Sequence, residues 1–331
     1  MTNRERIVNT LNFKKSDRLP MVEWAAWWDK TVERWQEEGL DKSLSYVDIK
    51  ECFGIDELKS VWISFIAGGL PPIPTHGQGH IENEEDYEKY RFALYPNDAV
   101  KWVEDSLRAI KPGHDRGEYA VWFTLNGYFW FPRVLFGIQN HLFSFYDYPE
   151  LYHRICEDIC EFQLKVIDEF CGILVPDFMT FAEDMSFNNG PMLSEDLYNE
   201  FIKPYYIRVI TKLKSYGIKV FVDTDGNVMP MIPWLIDSGV EGILPLERQA
   251  GVDVAEIRRL YPNLLMLGGY DKMVMKQGEA AIRAEFERLL PVMKTGGYIP
   301  SVDHQTPPDV SLENYKIYST LFEEYMLKAM E

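Results

Sequence analysis

The chain has 331 residues, 46% of them hydrophobic and 14% aromatic, and a formal net charge of −18. So acidic a protein repels phosphate backbones and anionic headgroups, which excludes nucleic acid and membrane as expected partners. No apolar run reaches the roughly 18–20 residues of a spanning helix, and "MTNRERIVNTLNFKKSDRLP" lacks the apolar core of a signal peptide, so the cytoplasm is the expected location.

In chain order, "RLPMVEW" (18–24), "LKSVWISF" (58–65) and "YAVWFTLNG" (119–127) read as strands. Between them, the Gly- and Pro-rich "AGGLPPIPTHGQGH" (67–80) reads as an excursion over one face, and "IENEEDYEKY" (81–90) as a solvated loop entering a helix. A strict alternation then sets in. Helix 148–170 starts near Pro149, and strand 176–185 ends in Glu183 and Asp184. Helix 194–217 has Ser194 as N-cap, a kink at Pro204 and Gly217 after its end. Strand 218–225 ends in Asp223 and Asp225, and a short helix spans 229–239. Strand 242–247 ends in Glu247 and is followed by helix 253–262, and strand 263–271 ends in Asp271 and is followed by helix 278–297. Strand 298–305 carries Asp303 and His304, and helix 311–330 closes the chain.

Eight strands, apolar on both faces and alternating with helices, imply a parallel sheet. The expected fold is a (β/α)8 TIM barrel of the α/β class, a single domain over 1–331. A doubly wound open sheet is the alternative, but no Gly-rich phosphate loop follows the first strand. Cys156 and Cys160 lie four residues apart on one helix face. They fit reduced, buried thiols better than a two-ligand metal site.

The strands of such a barrel deliver their C-terminal ends to one face, which carries the active site. Here that rim receives Glu183, Asp184, Asp223, Asp225, Glu247, Asp271, Asp303 and His304. Converging carboxylates repel each other unless protonated or held by a cation, so the rim is a candidate acid/base or metal site. Asp223 and Asp271 fit helix capping as well as chemistry. His76, His80, His114, His141 and His153 read as surface or packing residues. The rings Trp24, Trp122, Tyr128 and Trp130 exceed what a narrow barrel interior holds. At least two of them are therefore expected to line the largest cavity, at the C-terminal mouth, and to favour a flat or aromatic substrate.

The opening "RERIVNTLNFKKSDRLPM", "FAEDMSFNNGPMLSEDLYNEFIKPYY" (181–206), "VDTDGN", "GVEGILPLE" (239–247), "GGYD" and "GGYIPSVDHQTPPDVSLENY" (296–315) resemble the uroporphyrinogen decarboxylase superfamily, in order and over nearly the whole chain. The resemblance implies a (β/α)8 barrel. The decarboxylase branch carries an arginine-rich motif after the first strand and an aspartate near the second. This chain has "MVEWAAWWDK" and "WISFIAGG" there, so a decarboxylase-like lyase is the lesser reading.

The branch that moves methyl groups to or from a corrinoid is the closer likeness. Its coenzyme M enzymes bind zinc through His-X-Cys and a distant Cys. Here Asp223-Thr224-Asp225 and "VDHQ" occupy those places, an oxygen-rich set suited to an oxygen substrate. The resemblance therefore implies a methyltransferase of the O-demethylase component type. It would act between a small substrate, an aromatic methyl ether, and a corrinoid carried by a partner protein. Its expected catalytic residues are His304, Asp225 and Glu183, its zinc ligands Asp225, Glu247 and His304, and its substrate-binding residues Trp24, Trp122, Tyr128, Trp130 and Asn227. A homodimer is left open, and a non-catalytic ligand-binding barrel is the contrasting class.

Overall fold

The computed structural model describes every residue except Ala26 and Pro74, the second of which lies in the predicted excursion 67–80. Seven strands form one parallel sheet in strictly sequential order: β1 (Leu58–Trp62), β2 (Ala120–Asn126), β3 (Phe178–Ala182), β4 (Lys219–Asp223), β5 (Gly242–Leu244), β6 (Leu265–Tyr270) and β7 (Tyr298–Val302). Sequential order is barrel order, and the open-sheet alternative falls with it.

The predicted eighth strand, 18–24, has no ladder. It lies extended across the seam between β1 and β7. The Asp56 amide donates to Met21 O at 2.7 Å, and the Met21 amide to Asp56 Oδ2 at 2.9 Å. On the other side Trp24 Nε1 donates to Val302 O at 2.8 Å and Ser301 Oγ to Glu23 Oε2 at 2.9 Å. Pro20 supplies no donor, and one backbone bond together with side chains does the joining that a ladder would do.

Residues from all these segments meet inside. Val22, Ala120, Trp122, Phe178, Phe221, Leu244, Leu267 and Ile299 form one buried cluster, with Ile7 and Leu11 of the first helix (Asn3–Leu11) closing its N-terminal end. Trp122, Phe178 and Phe221 touch in sequence, with ring centroids 5.1 and 5.5 Å apart. Gly242 makes room for them, since a Cβ there would stand 2.3 Å from the Phe221 ring.

The helices follow from their caps. Ser194 caps Glu195–Phe201, and the predicted kink at Pro204 is a break at Ile202, after which Lys203–Ser215 resumes. Asp253 and Ser311 also cap helices through backbone N–H groups. The excursion 67–80 runs to the helix Trp130–Phe136, where His80 N and Ile81 N donate to Leu135 O. No helix among the described residues is long and apolar enough to cross a membrane.

Candidate functional site

At the C-terminal mouth, a cavity of 520 Å³ is lined from the β2 side to the β5 side by Arg133, Asp184, Asp225, Gly226 and Glu247, under a hairpin that contributes Ser186 to Asn189 and Met192. A larger cavity, 630 Å³, opens at the opposite end of the barrel among Phe13, Lys219, Leu260 and Tyr261. The expectation that the largest cavity sits at the mouth is therefore wrong. The barrel face that collects ionisable side chains is still the mouth, and the chemistry is sought there.

Asp225 follows β4 and faces His304, with Oδ2 and Nε2 3.8 Å apart. The Gln305 amide donates to His304 Nδ1 at 2.8 Å, so the neutral ring carries its proton on Nε2, toward Asp225. Gly226, at φ +81°, turns the chain just after Asp225, and its amide donates to Glu247 Oε2 at 2.8 Å. Hydroxyls fix the same turn from beneath. Thr224 Oγ1 accepts from the Met185 amide at 3.0 Å, and Ser186 Oγ donates to Asp225 O at 2.5 Å. Two non-glycine residues at strand ends take left-handed backbone, Asp184 at φ +42° and Leu246 at φ +65°. Strain of this kind, about 1–2 kcal/mol each, collects where geometry serves a site.

Burial, then the Asp184 and Glu247 carboxyls, pushes Asp225 up to about 7 from 3.8. Burial likewise raises Asp184, and burial with Asp184 and Asp225 holds Asp223 well above the carboxylate range. His304 is lowered, first by burial and then by Lys272. Lys272 itself is committed: Nζ lies 3.2 Å from the fully buried Asp303 carboxylate, which also accepts from Arg248 N at 2.9 Å. Near neutral pH the mouth thus presents a protonatable carboxyl beside a neutral imidazole. Both side chains reach solvent, Asp225 41% and His304 34% exposed.

Asp225 and His304 therefore meet, and Glu247 supports them. Trp24 stands edge-on to His304 with ring centres 6.1 Å apart. The other assignments need correction. Glu183 is fully buried and points away from the mouth. Its carboxylate accepts from the backbone N–H groups of Tyr128, Phe129 and Trp130 at 2.9, 2.8 and 3.1 Å and from the Tyr206 hydroxyl. It is a clasp between β2 and β3, with no lone pair left for a substrate. Tyr128 is buried against Tyr205 and Tyr206, its hydroxyl on Gln163. Trp122 belongs to the barrel's ring layer, and Trp130 lies under the Arg133 guanidinium, 5.0 Å from its ring centre. None of the four rings lines the mouth cavity. Asn227 caps the following turn, with Oδ1 accepting from Met229 N at 3.2 Å. Asp271, for which the sequence leaves both capping and chemistry open, is a cap for Met273 N. Asp223 is not a cap: alternation with the interior-facing Phe221 points it down the barrel.

The expected zinc set does not fit as placed. Among the described residues no three His, Cys, Asp or Glu side chains stand where they could hold one ion, and one Glu247 oxygen is occupied by Gly226 N–H. Sequence reasoning missed Arg133 and Lys272. The signal for Arg133 was a lone basic residue in "FWFPRVLF", directly after a strand end.

A methyltransferase from Methanosarcina mazei shares the fold with a TM-score of 0.70 at 15% identity, covering 98% of this chain and 99% of that one. A Listeria monocytogenes protein described as a vitamin-B12 independent methionine synthase aligns at a TM-score of 0.48 and 12% identity, over 94% of this chain and 96% of that one. No curated protein sequence matches the chain. Residues 72–325 match the family model for uroporphyrinogen decarboxylase (URO-D), and the chain belongs to that family.

Proposed function

We propose that the protein is a methyltransferase that moves a methyl group from a small oxygen-bound donor to a corrinoid held by a partner protein, with Asp225 as the proton donor and His304 as its neighbour. The observation that carries this reading is the Asp225–His304 pair at the open barrel mouth, 3.8 Å apart, with the carboxyl held near 7. The methyl carbon leaves with its bond to oxygen broken, and the bonding electrons stay on that oxygen. The corrinoid supplies the electron pair for the new bond. What this chain supplies is the proton that neutralises the leaving oxygen, and a carboxyl poised near neutral pH suits that task. The likeness in fold to a methyltransferase supports the same reaction class.

The acidic mouth disfavours the family's other chemistry. Asp184, Asp223, Asp225 and Glu247 have no lysine or arginine within ion-pair distance among the described residues, and of the four only Asp225 has an ion-pair partner, His304. A polycarboxylate entering there would meet repulsion.

The test is methyl transfer to a Co(I) corrinoid protein, read from the cobalt absorbance, for wild type, Asp225→Asn and His304→Ala. Each variant is expected to fold and to lose at least about 10²-fold in rate, the low end for a positioned acid or base. Full activity in both variants would return these strand ends to a structural role and favour a ligand-binding barrel.

A further inference from the structure

The acids of the mouth cavity run from its β5 end to Asp184, beyond which stands a single cation, Arg133. Glu247 follows β5, Asp225 follows β4 and Asp184 follows β3, while Arg133 rises from the helix Trp130–Phe136 after β2. Along the sheet the β2 and β5 ends are three strand spacings apart, about 14 Å at about 4.8 Å each. Arg133 is thus the one cation among the residues that line this cavity. It is also unusually idle. Its guanidinium carbon sits over the Trp130 ring, 5.0 Å from the ring centre, and its only side-chain hydrogen bond among the described residues is a long one, 3.5 Å, to Asp184 O. No carboxylate comes within ion-pair distance of it among the described residues, whereas the other arginines of barrel-face loops are committed, Arg248 to Val252 O and Asp253 for example.

A guanidinium packed over an indole, half-buried and lining a cavity, keeps most of the five donors of its planar fork free. The chemistry that matches such a fork is a planar anion, a carboxylate above all. A phosphate dianion would face the Asp184 carboxyl beside it with twice the charge. The amides of Asn188 and Asn189 at the hairpin tip, both exposed, add neutral donors above the same space. The opposite end offers Asp225, with His304 3.8 Å beyond it, outside the cavity lining.

We infer that Arg133 anchors a carboxylate of the methyl donor, so that the substrate is a small methylated carboxylic acid with its anionic group at the β2 side and its methylated oxygen under Asp225 and His304. This rests on the methyltransferase reading for the second half and on the geometry of Arg133 for the first. It makes the cavity bipolar: one end recognises a negative charge, the other delivers a proton. Charge at the far end also fixes orientation, since the reversed pose would set a carboxylate against Asp225 and Glu247.

Binding, measured by calorimetry without any corrinoid, separates the two readings. The probes are para-methoxybenzoate and its uncharged carboxamide, equal in ring, ether and size. Wild type is expected to bind the acid at least about tenfold more tightly than the amide, the low end for a charge-assisted bond. Arg133→Gln is expected to abolish that preference, and Arg133→Lys, which keeps the charge and loses the fork, to retain part of it. Should Arg133→Gln fail to fold, the Lys variant alone must show a reduced preference. Equal binding of acid and amide, a preference that survives in both variants, or no binding of the acid overturns the inference. Tight, Arg133-dependent binding without methyl transfer would leave the carboxylate anchor standing and overturn the proposed reaction instead.

Discussion

Replacing Glu183 by Ala separates a buried clasp from a catalytic carboxylate. In wild type that side chain, 0% exposed, accepts from three consecutive backbone N–H groups and from Tyr206. It fills its space completely, since a Cβ on Gly127 would stand 2.0 Å from the carboxyl carbon. Alanine leaves four donors without a partner. At about 1–3 kcal/mol for each orphaned group the raw sum is about 4–12 kcal/mol. Water entering the vacated space returns part of this, and breaking one side of a buried charged network costs about 3–5 kcal/mol. A loss of about 4 kcal/mol is therefore expected. For 331 residues, an unfolding entropy of about 2.1 cal/mol/K per residue gives roughly 0.7 kcal/mol/K, so Tm should fall by about 6 °C. Calorimetric or circular-dichroism melts measure it, with methyl transfer assayed well below the transition. A melting point within about 1 °C of wild type together with lost activity would refute the clasp and restore Glu183 to the chemistry.

The remaining expectations concern acid strength, backbone and metal. Asp225 acts in its protonated form, so the rate should be fully present below pH 7 and fall as pH rises through about 7; Asp225→Asn should remove that limb, and a wild-type profile flat from pH 6 to about 8 would count against the assignment. Glu23 is buried beneath β7, with Ser301 and Tyr318 donating to it, and burial raises it from 4.5 to about 7. Its raised folded value contributes stability below about pH 4.5 that is lost as pH rises through about 7. Relative to wild type, Glu23→Gln should therefore gain up to about 3 kcal/mol between those limits, and parallel pH curves in denaturant melts would contradict this. Gly226→Ala would place a Cβ 2.5 Å from the Phe187 backbone at φ +81°; it should lift the hairpin over the mouth and cut methyl transfer at least about tenfold, and unchanged kinetics would show that the hairpin does not hold the acid in place. Dialysis against a chelator should leave methyl transfer unchanged; a loss restored by zinc would reinstate Asp225, Glu247 and His304 as ligands.

Much of the fold was legible because its signals are local. Ser194 caps its helix as expected, and all seven strands start within two residues of their predicted positions, β1, β5 and β7 at the predicted residue. The segment 18–24 was misread because an apolar run says nothing about ladder partners. Its bonds go to Asp56, Ser301 and Val302, whose placement is a tertiary fact. The rings were misplaced for a related reason. A tryptophan after a strand satisfies a mouth and a core equally well, and what decided was shape: Gly242 opens space for Phe221, and with it the Trp122–Phe178–Phe221 layer fills the barrel. Arg133 escaped notice because one arginine among apolar residues has no periodicity to betray it.

The pair Asp223 and Asp225 shows where the alternation rule stops. Two residues apart on a straight strand, they would face the same side. The ladder ends at Asp223, whose partners are Ala182 on β3 and Leu244 on β5. Thr224 and Asp225 continue as loop, and the left-handed Gly226 swings the chain back under the hairpin, where Phe187 O accepts from Asn227 N at 2.9 Å. Asp223 therefore keeps to the interior side of the strand, near Asp184, and Asp225 looks across the mouth toward His304. Asp223 is kept protonated by burial and by the Asp184 and Asp225 carboxyls near it. Asp225 keeps contact with water and an imidazole and can give up its proton at neutral pH. The motif places two acids at one strand end, and the turn after the first of them gives the two acids different chemistry.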